Sequence, residues 1–156
     1  MKPLERMVVL FSTGFYTGYF PIAPATFSTL TVGIPLYLLI AGLSDYRYAM
    51  LTAALFLPAV WLADRAEKIF QKKDCSFIVI DEVVGFLITM FMVPFTWTSL
   101  VLGFFFFRFF DIVKPPPANI FNSRKKGGLD VVMDDVIAGI YANLLLRCFV
   151  YFLFGS

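Results

Sequence analysis

The fold class that this chain predicts is all-α: a polytopic integral membrane helical bundle with four to five hydrophobic segments. Three observations carry that expectation. Of 156 residues, 60% are hydrophobic and 19% aromatic. Charged residues are only 15%, against roughly 25% in soluble domains, and mean hydropathy is +0.81. The apolar residues gather into five stretches, at 26–43, 46–63, 79–95, 97–113 and 136–154, each a little under the ~20 residues that cross a bilayer comfortably. One domain over residues 1–156 is the expectation for this length.

The amino-terminal apolar run Met7–Phe11 is too short for a signal-peptide core, so no cleavage is expected. Gly14, Gly18, Pro21, Pro24 and Pro35 interrupt the residues beyond it, so the first stretch either crosses imperfectly or re-enters on the same side. That choice separates five crossings from four. Short joints at Ser44-Asp45 and Thr96-Trp97 predict antiparallel neighbours, whereas the segments 64–78 and 114–135 are long, charged connections. Ten of the thirteen Lys and Arg residues lie in the amino-terminal arm and these two connections, the exceptions being Arg47, Arg108 and Arg147. The positive-inside rule places those regions in the cytoplasm. A formal charge of +2 gives no reason to expect a nucleic-acid partner, and Cys75 and Cys148 show no metal-ligand spacing.

Two segments read almost alike, KKDCSFIVIDEVVG (Lys72–Gly85) and KKGGLDVVMDDVIAG (Lys125–Gly139). Each places adjacent carboxylates, Asp81-Glu82 and Asp134-Asp135, at the entry to an apolar stretch. Like charges side by side repel unless something neutralises them, and oxygen-rich carboxylate sets suit hard divalent cations. Both pairs are expected at the amino termini of parallel helices, where the macrodipole favours negative charge. Asp64, Glu67 and Asp130 read instead as headgroup-level partners of the loop lysines.

The fourth stretch ends in RFFDIVKPPP. Arg108, Asp111 and Lys114 recur every three residues, so they share one side of a helix, and the prolines then stop it. An acid between two cations can serve a metal and a phosphate together. GFYTGYFPIAPATFSTL supplies Gly, Pro and hydroxyl groups ahead of a helix, with Thr26 or Ser28 positioned for an anion. Histidine is absent from the whole chain, which excludes histidine nucleophiles and Ser-His-Asp machinery; no GxxxxGK[ST] loop is present either. Carboxylates, a metal, Lys and Arg must then do any phosphoryl chemistry. A cation transporter or channel subunit using the same acids is the alternative, and the apolar segment centres LYLLI, FLITMF and LVLGFFFF argue against it.

In order along the chain, APATFSTL, KKDCSFIVIDEVVG, FRFFDIVKPPP and GGLDVVMDDVIAG resemble the motifs of the phosphatidylglycerophosphatase A family, over about Gly18–Asn143. The resemblance implies a bacterial, all-helical, Mg2+-dependent enzyme of the cytoplasmic membrane. Its expected substrate is phosphatidylglycerophosphate, whose terminal phosphate is removed to leave phosphatidylglycerol. Asp74, Asp81, Glu82, Arg108, Asp111, Lys114, Asp134 and Asp135 match the family's polar motif positions. Ala25 stands where the family usually has Gly, and so does Asp130. On this basis Asp81, Glu82, Asp134, Asp135 and Arg108 are the expected catalytic residues. Asp81, Glu82, Asp111, Asp134, Asp135 and Asp74 are the expected metal ligands. Arg108, Lys114, Thr26 and Lys73 are expected to bind the substrate phosphate, with the lipid tails along the Phe-rich fourth helix.

Overall fold

The computed structural model describes residues 2–73, 75–124 and 127–154, and every regular element among them is helical. Helix α1 (Pro3–Ser12) opens on a proline, whose missing N–H costs nothing in a first turn. Glu5 accepts the backbone N–H of Lys2 at 2.9 Å. Gly14, Phe15 and Tyr16 then adopt left-handed conformation and reverse the chain. Helix α2 (Pro24–Ser28), a wide π turn (Thr29–Gly33) and α3 (Ile34–Ile40) form one helical path. The wide turn falls just before Pro35, which has no N–H to continue the ladder.

Helix α4 (Asp45–Phe70) runs seven residues past the expected boundary at 63. Its last two turns are charged, yet Ala63, Ala66 and Glu67 are buried there, and Lys68 pairs with Asp64 one turn back. Packing of Ala59, Ala63 and Ala66 with Val84 and Val132 carries the helix through the charged sequence. Helix α5 (Ile80–Thr89) stops six residues before the expected 95, because Met92 turns left-handed ahead of Pro94. Helix α6 (Trp97–Val113) keeps its expected span, with Thr96 accepting the Ser99 N–H at 2.9 Å. The connection expected at 114–135 holds a short helix, α7 (Ala118–Arg124). Helix α8 (Gly128–Phe154) begins eight residues before the expected 136.

That early start corrects one expectation. Asp81 and Glu82 do lie in the first turn of α5, but Asp134 and Asp135 lie in the second turn of α8, where Asp130 holds the terminal position. The macrodipole falls off within a turn, so it favours the first pair more than the second.

Helices α5 and α8 run parallel: Gly85 meets Asp135 and Gly139, and one turn further on Asn143 meets Thr89. Helix α6 runs against both, with Phe107 at Gly85 and Gly103 at Met90 and Leu146. Gly85 and Gly139 are where side chains would block the fold. A Cβ on Gly139 would stand 2.4 Å from the Gly85 carbonyl oxygen, and one on Gly85 would stand 2.7 Å from that of Asp135. Two clusters fill the interior, one around Phe86, Leu87, Phe107 and Leu146, the other around Ala63, Val84 and Val132. Outside them the surface is apolar, and Leu39, Leu57, Ile112 and Phe152 are 72% to 86% exposed. Among the described residues α4 is the one helix both long and apolar enough to cross a membrane by itself; the apolar path Pro24–Ile40 is shorter.

Candidate active site

The close crossing of α5 and α8 brings the two acid pairs together, and the two pairs are built alike. Asp81 Oδ1 accepts the backbone N–H of Glu82 at 3.0 Å. Asp134 Oδ1 accepts that of Asp135 at 3.1 Å. In each pair the first carboxylate turns one oxygen onto the helix, and the second is free to reach across. Helix α6 supplies the third wall. Asp111 is buried, as are all four acids of the pairs.

Glu82, Asp111 and Asp135, one from each of three helices, each place a carboxylate oxygen within 4.8 Å of the other two. Three carboxylate oxygens gathered this closely are the kind of donor set that a hard divalent cation takes, since such ions prefer oxygen donors and keep positions for water or phosphate. Asp81 and Asp134 are not part of that triad. They flank it, and Asp134 is tied to Lys114.

Two cations close the site. Arg108 donates from one terminal nitrogen to Glu82 and from the other stands 3.0 Å from Asp111. Its Nε is buried without a hydrogen-bond partner. Lys114 bonds Asp134 and lies 3.7 Å from Asp111. The three-residue spacing read from RFFDIVKPPP thus becomes a continuous chain of charge along α6 and onto α8. Lys114 itself adopts a left-handed conformation, φ 45°, as the cap of α6. The adjoining proline turn is pinned by the Tyr141 hydroxyl, which donates to the Pro116 carbonyl at 2.6 Å. Burial alone would lower the Lys114 ammonium, but the Asp135 and Asp134 carboxylates outweigh it and hold the group well above its ordinary range. It therefore stays charged.

Five buried carboxylates face two half-buried cations here. A surplus of negative charge in a desolvated place is costly without a further positive partner. Not every expected residue joins. Lys73 is exposed and Thr26 half-buried, and neither makes a hydrogen bond or ion pair with the acid group among the described residues. Asp74 lies outside the described residues. Asp64 pairs with Lys68 as expected, whereas Asp130 is buried rather than superficial.

Sequence reasoning overlooked the residues that hold the site together from below. Gly85 and Gly139 each follow an acid pair within about one helical turn, and a glycine so placed in both segments is the signal that could have found them. Thr89 donates to the Gly85 carbonyl at 3.0 Å, and Asn143 donates to the carbonyls of Thr89 and Phe91 at 2.8 and 2.7 Å.

This geometry has relatives. The family model for phosphatidylglycerophosphatase A matches residues 10–150. The chain belongs to that family. A phosphatidylglycerophosphatase A of Haemophilus influenzae is 32% identical, with 97% of each chain covered. One of Escherichia coli is also 32% identical, over 88% of this chain and 80% of its own. A Bacteroides thetaiotaomicron protein named as a putative phosphatidylinositol-3-phosphatase is 35% identical, over 94% of this chain and 95% of its own. No solved structure matches. Family membership makes the chain a lipid phosphomonoester hydrolase, and a cation-transport role for the acids is not favoured.

Proposed function

We propose that the chain hydrolyses the terminal phosphomonoester of phosphatidylglycerophosphate, giving phosphatidylglycerol and phosphate, with Mg2+ as cofactor. The observation that carries this reading is the meeting of Glu82, Asp111 and Asp135 from three helices beside Arg108 and Lys114. A phosphomonoester needs both halves of that arrangement: an oxygen-lined place for a divalent cation, and fixed positive groups for its own oxygens. Glu82, Asp111 and Asp135 would hold the ion, with Asp81 and Asp134 beside them. When bound, the ion supplies Lewis-acid polarisation of the phosphoryl group.

The protein's own groups do the rest. Arg108 presents a planar fork of N–H donors suited to phosphate oxygens, and Lys114 adds a second, point-like charge. Both positions are fixed before substrate arrives, so charge that builds on the phosphoryl oxygens meets donors needing no reorganisation. A carboxylate of the group accepts a proton from the attacking water as the bond from phosphorus to the glycerol oxygen breaks. The leaving alkoxide takes up a proton, so diol and phosphate result.

The setting belongs to the same proposal. The chain is one domain of the bacterial cytoplasmic membrane, crossing it several times, with α4, α5, α6 and α8 side by side and the acid site on the cytoplasmic side at headgroup depth. The large apolar side chains exposed on the outer faces support a lipid surround, since a water-facing surface would leave too wide an apolar patch. The Lys and Arg distribution supports the sidedness.

The test is phosphate release from phosphatidylglycerophosphate, phosphatidylinositol 3-phosphate and phosphatidic acid in mixed micelles, each with Mg2+ and with excess chelator. Phosphatidylglycerophosphate is expected to turn over fastest, and chelation to abolish turnover until Mg2+ is restored. A preference for the inositol lipid would move the assignment toward the Bacteroides relative. Full activity in chelator would remove the metal from the mechanism.

A further inference from the structure

Away from the acid site, α1 and α4 enclose a separate cleft of about 490 Å3 lined by Lys2, Glu5, Val8, Trp61, Arg65 and Lys68, among others. Its size falls within the roughly 300–1,000 Å3 of small-molecule pockets. Two helix stripes build it. On α4, Trp61, Arg65 and Lys68 recur at spacings of four and three, so they share one face. On the other wall Lys2, just before α1, and Glu5 and Val8 on α1 recur every three residues.

We propose that this cleft binds the headgroup of an anionic phospholipid, at a site distinct from the carboxylate centre. The charges decide the sign of the ligand. Glu5 is engaged at the start of its own helix, accepting the Lys2 N–H, and Asp64 is engaged by Lys68. Arg65 makes no ion pair among the described residues. Its guanidinium carbon stands 5.9 Å over the Trp61 ring, which holds the group by its face and leaves its edge of N–H donors open. The Lys2 side chain is exposed across the cleft. A phosphodiester placed there meets Arg65 and Lys2 directly.

Depth decides the class of ligand. Trp61 and Arg65 sit in the second half of α4, toward the end carrying Asp64, Arg65, Glu67 and Lys68. Tryptophan next to basic residues marks the headgroup level of a spanning helix. Beside it, α1 exposes Leu4 and Met7 next to Lys2 and Arg6, the pattern of a helix lying in the interface. The occupant is therefore a lipid already in the bilayer, with its phosphate in the cleft and its chains along the exposed apolar faces. This inference rests on the membrane setting proposed above, but not on the identity of the substrate.

The experiment is native mass spectrometry of the full chain in detergent, titrated with phosphatidylglycerol or phosphatidylcholine. The wild type is expected to retain phosphatidylglycerol in preference to phosphatidylcholine. The double substitution Lys2→Gln with Arg65→Gln should weaken phosphatidylglycerol binding roughly tenfold or more, the scale of removing two headgroup-level cations. Both residues are exposed, so an unchanged melting temperature is expected and should be recorded. Turnover of lipid phosphate by the double variant should stay at the wild-type level. Undiminished phosphatidylglycerol binding by the double variant overturns the proposal, as does equal binding of the two lipids by the wild type. Loss of binding in Arg108→Gln with retention in the double variant also overturns it, by placing the lipid in the catalytic centre. Failure of the wild type to hydrolyse any lipid phosphate would count against the proposed function alone, because the binding comparison does not depend on turnover.

Discussion

The two ends of the α5–α8 pair solve the same problem with opposite means. Both bury polar groups between helices that touch through Gly85 and Gly139. At the far end the groups are neutral and matched: Asn143 donates to two carbonyls left over where α5 stops, and Thr89 to a third. At the acid end the groups are charged and unmatched, with five carboxylates against Arg108 and Lys114. A satisfied neutral network fixes a packing. An unbalanced charged one must be relieved by protons or by a further cation, and the second is what a metal-dependent site needs. The proposed function would sit where the helix pair is left electrostatically incomplete.

That contrast is most easily broken at the acid end. Glu82→Gln and Asp135→Asn each remove a ligand-type oxygen charge from the triad, and kcat should fall by roughly 100-fold or more, the scale of losing a group that stabilises transition-state charge. Asp81→Asn should also lose roughly 100-fold, since Asp81 flanks the triad and fixes the Glu82 amide. Asp130→Asn should leave kcat near wild type, because Asp130 lies a turn before the acid pair of α8 and neither joins nor flanks the triad. The measurement is steady-state phosphate release at saturating Mg2+ and lipid. If Asp130→Asn is as damaging as Asp135→Asn, the boundary drawn around the site is wrong.

The crossing comes next. Gly139→Leu puts a side chain where even a Cβ would lie 2.4 Å from the Gly85 carbonyl oxygen, and backbone cannot yield as a flexible side chain can. The two helices must separate, moving Glu82 away from Asp135. Recovery of folded protein is expected to drop sharply, and what remains should be inactive. Wild-type yield and turnover from Gly139→Leu would show that the helices need not meet there.

Much of this site is legible in the chain without its fold, and the reasons are local. Arg108, Asp111 and Lys114 are readable because helical spacing alone puts them on one side, and the structure joins them in one ion-pair chain. The acid pairs are readable because adjacent carboxylates beside apolar sequence ask for a partner. Which of them converge is not readable. Glu82 and Asp135 reach the triad while Asp81 and Asp134 turn to the backbone, and that depends on how α5 and α8 rotate about their contact. Helix ends depart from expectation where packing outranks composition: the buried alanines of α4 carry it past Asp64, and α8 starts ahead of its acids. Thr89 and Asn143 give no signal, because a lone hydroxyl or amide in an apolar run shows its partner only in three dimensions.

The smallest expected effect tests the quiet end of the comparison. Asn143→Leu keeps the branching and the number of heavy atoms of the side chain while removing both donors, so the carbonyls of Thr89 and Phe91 lose their partner. Hydrogen bonds between helices in a bilayer contribute on the order of 1 kcal/mol each or less, and an orphaned buried carbonyl adds a comparable desolvation cost. The variant should therefore unfold at a slightly lower temperature or denaturant concentration, with a loss of about 1–2 kcal/mol. Its kcat should change by less than about threefold, because the acid triad draws its geometry from Gly85 and Gly139, a turn nearer. Thermal unfolding monitored by circular dichroism, together with turnover on the same preparation, separates the two quantities. A large fall in kcat with unchanged stability would mean that Asn143 reaches the chemistry after all, and the neutral end could no longer be regarded as scaffold.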